Sequence, residues 1–335
     1  MKIKRIILTV LSVLLLLFTA ANVGALQRED GASDTAADID VTETAGYIKW
    51  VDFDVTAVAM RDAYDADLES HGTDTPIPFA VSLAYLGAKY GGDFSRYKKS
   101  DLSAFCERVK SGEDIASITE GMQYFSYYRE AYGAVLDGFV GEYTVGGETK
   151  YGLRVFSPIA AGYYYGDSDD FGVARSYGYK RRHLGHDMMG SVGTPIIAVE
   201  SGYVEAVGWN QYGGWRIGIR SFDGKRYYYY AHLRKNHPYN DMYEGKIVTA
   251  GEVIGYLGMT GYSVKENVNN INTPHLHFGL QLIFDPSQKD GTNQIWIDVY
   301  ELCRFLYRNR SEVCRDEVSG EYYAKNPIMD PTVPD

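Results

Sequence analysis

The sequence predicts an α+β, multidomain chain: an N-terminal all-α domain followed by an antiparallel all-β domain. Two observations carry this. Between residues 47 and 145, apolar residues recur at helical spacing, and the first two runs stop on glycine. From about residue 150 the pattern changes to short runs rich in Val, Ile and Tyr, separated by Gly-containing turns.

The helical region divides into three runs. Pro78 can open a helix through Phe79, Val81, Leu83, Ala84 and Leu86 that stops at Gly91-Gly92. Ser100 is a candidate N-cap for a second, through Leu102, Phe105 and Val109, ending near Gly112. A third is expected over about 118–136, where Met122, Phe125, Tyr128 and Tyr132 make an apolar stripe that reads as core. Nothing in 47–145 looks catalytic. In the second region, strands are expected over 195–199, 202–207, 216–220, 227–232, 252–257 and 275–282, with a hairpin turn at Asp223-Gly224. Residues 296–307 suit a packed helix, and the last 20 or so read as loose.

The 335 residues suffice for about two domains, and 45% hydrophobic and 23% charged residues are those of a globular protein. A formal net charge of −11 argues against a broad electrostatic grip on nucleic acid or anionic lipid. Tyrosine is abundant, at 30 residues, which suits strand packing and in part an exposed groove. A monomer is expected. At the start, Lys2, Lys4 and Arg5 precede an apolar run from residue 6 to about 21, and Val23-Gly24-Ala25 suits signal-peptidase cleavage. The run is shorter than the roughly 20 residues a full span needs, so a signal peptide (1–25) is favoured over a membrane anchor. Either places the rest outside the cytoplasm. Residues 26–46 are polar and acidic and read as a flexible linker. Of the three cysteines, Cys303 and Cys314 could pair and leave Cys106 free, or all three could be free thiols. The domain plan is thus 47–145 helical and of unknown role, 150–310 catalytic with a C-terminal helix, and 311–335 a tail.

The chemistry gathers on histidine. The chain has seven, and His183, His186, His232, His275 and His277 fall in three short segments of the all-β region. On a strand, i and i+2 share a face, so His275 and His277 point together while Leu276 and Phe278 point into an apolar layer. Two charged imidazoles side by side would repel, whereas a metal ion binds both neutral. His183 and Asp187 are four apart with Gly185 between them to permit a bend, and with one of the His275/His277 pair they make three ligands of the kind a catalytic zinc uses, leaving one position for water. Taken alone, that segment could equally be a surface histidine bonded to an aspartate. His186 would face the other way on a strand and is read as a structural residue.

Seven blocks in order are more specific: His183-x-Gly185-x-Asp187; Gly193-Thr194-Pro195-Ile196-Ile197-Ala198; Gly202-Tyr203-Val204; Tyr230-Ala231-His232-Leu233; Gly251-Glu252-Val253-Ile254-Gly255; Thr260-Gly261; and Pro274-His275-Leu276-His277-Phe278. Over roughly 155–285 the chain resembles the lysostaphin-type (LytM-like) zinc peptidoglycan metalloendopeptidases. The resemblance implies a β-sandwich-like fold, the duplicated hybrid motif. It implies one zinc per chain on His183, Asp187 and His277, and two catalytic histidines, His232 and His275. The implied substrate is the peptide part of bacterial peptidoglycan, in stem peptides or cross-bridges. Zinc lowers the pKa of a bound water, His275 would take its proton, and His232 would meet the oxyanion. Tyr228 and Tyr230 lie at i−4 and i−2 from His232, and on a regular strand they would share its face and line the substrate groove. The chain departs from the family at 262–273 and roughly 235–242, apparent insertions beside the site that put the substrate bond in doubt. A non-enzymatic scaffold on the same fold is the alternative, disfavoured because all five positions are filled. A lytic helical domain ranks below it, since 47–145 lacks an evident pair of catalytic carboxylates in a plausible cleft context.

Overall fold

The protein is described from a computed structural model covering residues 47–176 and 180–334; the signal peptide or anchor expected at 1–25 and the linker at 26–46 lie outside these described residues. Thr56 starts the first helix, α1 (Ala57–Ser70), its hydroxyl accepting from the Ala59 amide. Helix α2 (Phe79–Tyr90) begins directly after Pro78 and ends at Gly91, whose φ of 66° only glycine adopts freely. Helix α3 (Lys99–Lys110) starts one residue before Ser100, which therefore does not cap it. The span expected as one helix is two, α4 (Ile115–Thr119) and α5 (Phe125–Leu136). Gly121 and Tyr124 between them have φ 73° and 65°, which interrupts the helical hydrogen-bond ladder.

Strands β1 (Val140–Val145) and β2 (Glu148–Leu153) form a hairpin, and β3 (Ala174–Ser176) pairs with β4 (Lys180–Arg182). Then come β5 (His186–Met189), β6 (Pro195–Ile197), β7 (Gly202–Asn210), β8 (Gly214–Ser221), β9 (Arg226–Ala231), β10 (Ile247–Val248), β11 (Val253–Tyr256), β12 (His275–Leu282) and β13 (Ile295–Ile297). The main sheet runs β10-β7-β8-β9-β12-β13, with β5 also on β12, and every pairing is antiparallel. Strands β6 and β11 pair apart from it. The expected helix at 296–307 is shorter, because Ile295–Ile297 joins the sheet edge and α6 covers only Tyr300–Leu306. Where the sequence reads as loose, β14 (Val313–Arg315) pairs with β15 (Tyr322–Ala324), and β16 (Ile328–Met329) adds to β1.

One face of the main sheet is apolar. Tyr228, Tyr230, Leu276, Phe278 and Leu280 are fully buried there and belong to the same hydrophobic cluster as Leu83, Phe105 and Tyr132 of the helices. Each such side chain contributes about 1.5–3 kcal/mol relative to exposure. Arg226 adds a polar tie: its guanidinium forks onto Glu200 at 2.7 and 2.8 Å and donates to the Ala134 carbonyl of α5 at 2.8 Å. Residues 47–335 form one compact unit. All three cysteines are free, with Cys106 and Cys303 buried. Among the described residues, no helix is long and apolar enough to cross a membrane.

Candidate metal centre

The opposite face of the sheet carries the histidines. Alternation along β12 places His275 and His277 on it, as the sequence predicts. The pairing of β5 with β12 then supplies the carboxylate, since Asp187 is the register partner of His277. His186 pairs with Phe278 on the other side, 1% exposed, with Nε2 3.0 Å from Asp167 Oδ2. His183 reaches in from the turn between β4 and β5.

Three ligand atoms converge. His183 Nε2 is 2.9 Å from Asp187 Oδ1 and 3.0 Å from His277 Nδ1, and His277 Nδ1 is 3.0 Å from Asp187 Oδ1. Two imidazole nitrogens and a carboxylate oxygen cannot satisfy three mutual contacts with protons alone; a cation in their midst satisfies all three. In a tetrahedral site with ligands at about 2.0–2.2 Å, ligand atoms stand roughly 3.4 Å apart, so the triangle needs only a small expansion to hold zinc. The remaining atoms are held as a ligand set requires. His183 Nδ1 lies 3.1 Å from the Asp170 carbonyl, which fixes the proton there and leaves Nε2 its lone pair. Arg175 donates to Asp187 Oδ2 at 3.2 Å, leaving Oδ1 for the cluster. Burial opposes ionisation of Asp187, but without a metal, and with protons on the facing nitrogens of His183 and His277, their hydrogen bonds outweigh it and hold its carboxyl far below the usual range. Gly185 lies at a bend, yet its φ is not positive; what demands glycine is space, because a Cβ there would fall 2.6 Å from His277 Cε1.

His232 and His275 flank this triangle, their ring centroids 4.8 Å apart. His232 Nδ1 is 2.9 Å from the Thr260 carbonyl and His275 Nδ1 is 2.8 Å from that of Thr273, so in each ring Nε2 is the nitrogen left for chemistry. Burial, then the neighbouring His275 and His277, push the His232 pKa well down. His275 Nε2 is 3.7 Å from Asp187 Oδ1.

Tyr228 and Tyr230 do not join this face. Both are 0% exposed: the Tyr228 hydroxyl donates to Glu200 at 2.7 Å and that of Tyr230 accepts from the Val199 amide at 3.0 Å. The expectation counted back from His232 along a regular strand. But β9 ends at Ala231, and His232 has φ 63°, which turns its side chain to the opposite face. Tyr227 and Tyr229 line the groove instead, Tyr229 with its ring 6.0 Å from that of His277. The groove has a volume of about 980 Å³ and is bordered by Tyr262 of the 262–273 segment. That segment is tied to the 235–242 segment: Asn267 and Asn236 exchange hydrogen bonds of 2.7 and 2.8 Å, and Asn267 also accepts from Trp215 Nε1 at 3.0 Å. Asp170, Tyr227, Tyr229 and Arg216 were not found from sequence; alternation along β8 and β9 held the signal for the last three.

An antiparallel sheet carries, on the floor of an open groove, a His–Asp–His triangle that could hold a metal ion. The sequence profile of Peptidase family M23 matches residues 181–290, and the chain carries an M23 domain there. The L-Ala--D-Glu endopeptidase of Bacillus subtilis (strain 168) is 32% identical over 212 residues, covering 62% of this chain and 63% of that protein. Lysostaphin of Staphylococcus simulans is 41% identical over 97 residues, covering 29% of this chain and 17% of its own length. The chain thus spans less than two thirds of either relative. The crystal structure of a LytM protein from Ruminococcus gnavus shares the fold, with a TM-score of 0.53 at 23% identity over 76% of this chain and 89% of that one.

Proposed function

We propose that the protein is a zinc-dependent endopeptidase that hydrolyses peptide bonds in peptidoglycan stem peptides or cross-bridges. The observation that carries this is the triangle of His183 Nε2, Asp187 Oδ1 and His277 Nδ1 at 2.9–3.0 Å, open to a groove. The two relatives support the substrate class. In this reading 150–310 is the catalytic domain, built as a duplicated hybrid motif, 47–145 is a helical region whose role is unassigned, and the chain works outside the cytoplasm.

Bound to His183, Asp187 and His277, zinc supplies a Lewis acid and eases deprotonation of the attacking water. His275 acts as general base at Nε2, its Nδ1 proton being committed to the Thr273 carbonyl. His232 meets the oxyanion. Its Nδ1 proton is committed to Thr260, so Nε2 donates only after taking up a proton from water in the open groove. Burial keeps that ring neutral at rest and confines its charge to the stage at which negative charge develops opposite it. Tyr227, Tyr229 and Tyr262 wall the groove that orients the peptide.

Purified protein should bind one zinc per chain and release new amino termini from peptidoglycan, and His277→Ala should abolish both. Full activity in that variant would overturn the metal assignment. A wild type that neither bound zinc nor cut would favour the scaffold reading.

A further inference from the structure

Strand register extends the site beyond the metal cluster. His277 is flanked by Asp187 on one side and Ala231 on the other. Strands β8 and β9 pair Gly218 with Tyr229 and Ile217 with Tyr230, and one more step in that register sets Arg216 opposite Ala231. Arg216 in turn pairs with Gly208 of β7. Asp187, His277, Ala231 and Arg216 therefore form one cross-strand row on the groove face. Strands in a sheet lie about 4.8 Å apart, so the Arg216 backbone is about 10 Å from that of His277. Between them lie the methyl of Ala231 and the ring of Tyr229, which packs on His277 and takes a hydrogen bond from Asn210 at 3.1 Å, and all four residues line the groove.

The other groove cations are engaged or exposed. Arg175 pairs with Asp170 and Asp187, Arg220 and Lys289 with Glu205, and Arg181 with the Tyr262 hydroxyl; Arg182 is exposed. Arg216 differs. It is partly buried and none of the described carboxylates pairs with it; its Nη1 is shut off from solvent with no hydrogen-bond partner, as is that of Arg220, whose Nε and Nη2 are however held by Glu205. Nη1 itself is closed to a ligand as it is to water, but the residue borders the groove without a carboxylate partner, and a carboxylate is the acceptor whose geometry matches the guanidinium fork.

We infer that Arg216 is a specificity-determining residue that binds a carboxylate of the peptide lying in the groove. An extended chain covers about 3.4 Å per residue, so that carboxylate belongs within roughly three residues of the bond at the metal. The preferred peptide is acidic on that side, although the protein itself carries a net charge of −11. The inference rests on the endopeptidase reading for the identity of the ligand as a peptide.

The test is calorimetric binding of two C-terminally amidated peptides, L-Ala-D-Glu-L-Lys and its D-Gln twin, to zinc-loaded and metal-free protein, with cleavage followed separately. The acidic peptide should bind about 10- to 100-fold more tightly than its twin in both forms. Arg216→Gln should erase that ratio, and Arg216→Lys should restore part of it, since charge returns without the fork. Melting temperatures check that both variants fold. Equal affinities in the wild type, binding of neither peptide, or a preference surviving in Arg216→Gln would each overturn the assignment. A wild type that prefers the acidic peptide but cuts neither would leave Arg216 in place and sink the endopeptidase reading instead.

Discussion

The imidazole of His277 lies against Gly185 so closely that a Cβ there would be 2.6 Å from Cε1 and 2.7 Å from Nε2, with the Phe278 carbonyl 2.8 Å away on the backbone side. The glycine between two ligands thus makes room for the third. Gly185→Ala should force the ring or the β5–β12 pairing to shift, costing about 1–3 kcal/mol of strain, and weaken zinc binding by about tenfold or more. Competition with a chelating dye measures this, and wild-type affinity in the variant would refute the packing argument.

The two faces of β9 separate by mutation. Tyr228→Phe removes a buried hydroxyl from Glu200, which also holds Arg226, and should destabilise the protein by about 1–2 kcal/mol while KM stays put. Tyr229→Ala strips an aromatic wall from the groove and should raise KM about 2- to 10-fold. Thermal melting and peptide kinetics on the pair decide it; a KM effect confined to the Tyr228 variant would reverse the facing.

Asn267 has φ 61°, so Asn267→Gly keeps the backbone at ease and removes only the amide that joins Asn236 and Trp215. The expected result is faster proteolytic nicking within 262–273, with a local loss of about 1–2 kcal/mol and an altered ranking of peptide substrates. Unchanged nicking would mean that the segment is held by other contacts.

Burial first, then the charges of Asp169 and Asp54, push Asp298 up to about 6 from an ordinary value of 3.8. In that window the folded state binds more protons than the unfolded one, so stability falls as pH rises from 3.8 to about 6. Asp298→Asn keeps an oxygen for the Tyr300 amide and removes the titration. Its gain in stability should be absent near pH 4 and reach about 1 kcal/mol at pH 7.5, a partial value because the carboxyl is half-hydrated. Denaturant melts at both pH values measure the difference; an equal gain at both would remove Asp298 as the source.

The helices starting after Pro78 and ending at Gly91, the strand over 275–282 and the hairpin at Asp223-Gly224 were legible because each depends on local signals: a fixed φ, a residue free to take positive φ, and period-two alternation. The division between α4 and α5 was not, because the apolar stripe passes from Met122 to Phe125 without a break in spacing, while the left-handed φ of Tyr124 between them is sustained by the surrounding packing. The strands within 313–329 were missed for a related reason. They form by pairing with one another and with β1, and carry little alternation of their own.

The sequence by itself determined the chemistry at hand: which histidines and which aspartate are available, and that His275 and His277 share a face, since alternation within one strand is a property of its own backbone. The tertiary structure decided how these groups meet. Setting β5 against β12 brings Asp187 beside His277. The left-handed turn at His232, whose amide donates to the Gly213 carbonyl at 2.7 Å and whose Nδ1 rests on Thr260, carries that ring to the groove and sends Tyr228 and Tyr230 to the core. Register between distant strands likewise aligned Arg216 with the cluster. Register and side-chain facing at a strand end depend on partners far along the chain, and no local pattern encodes them.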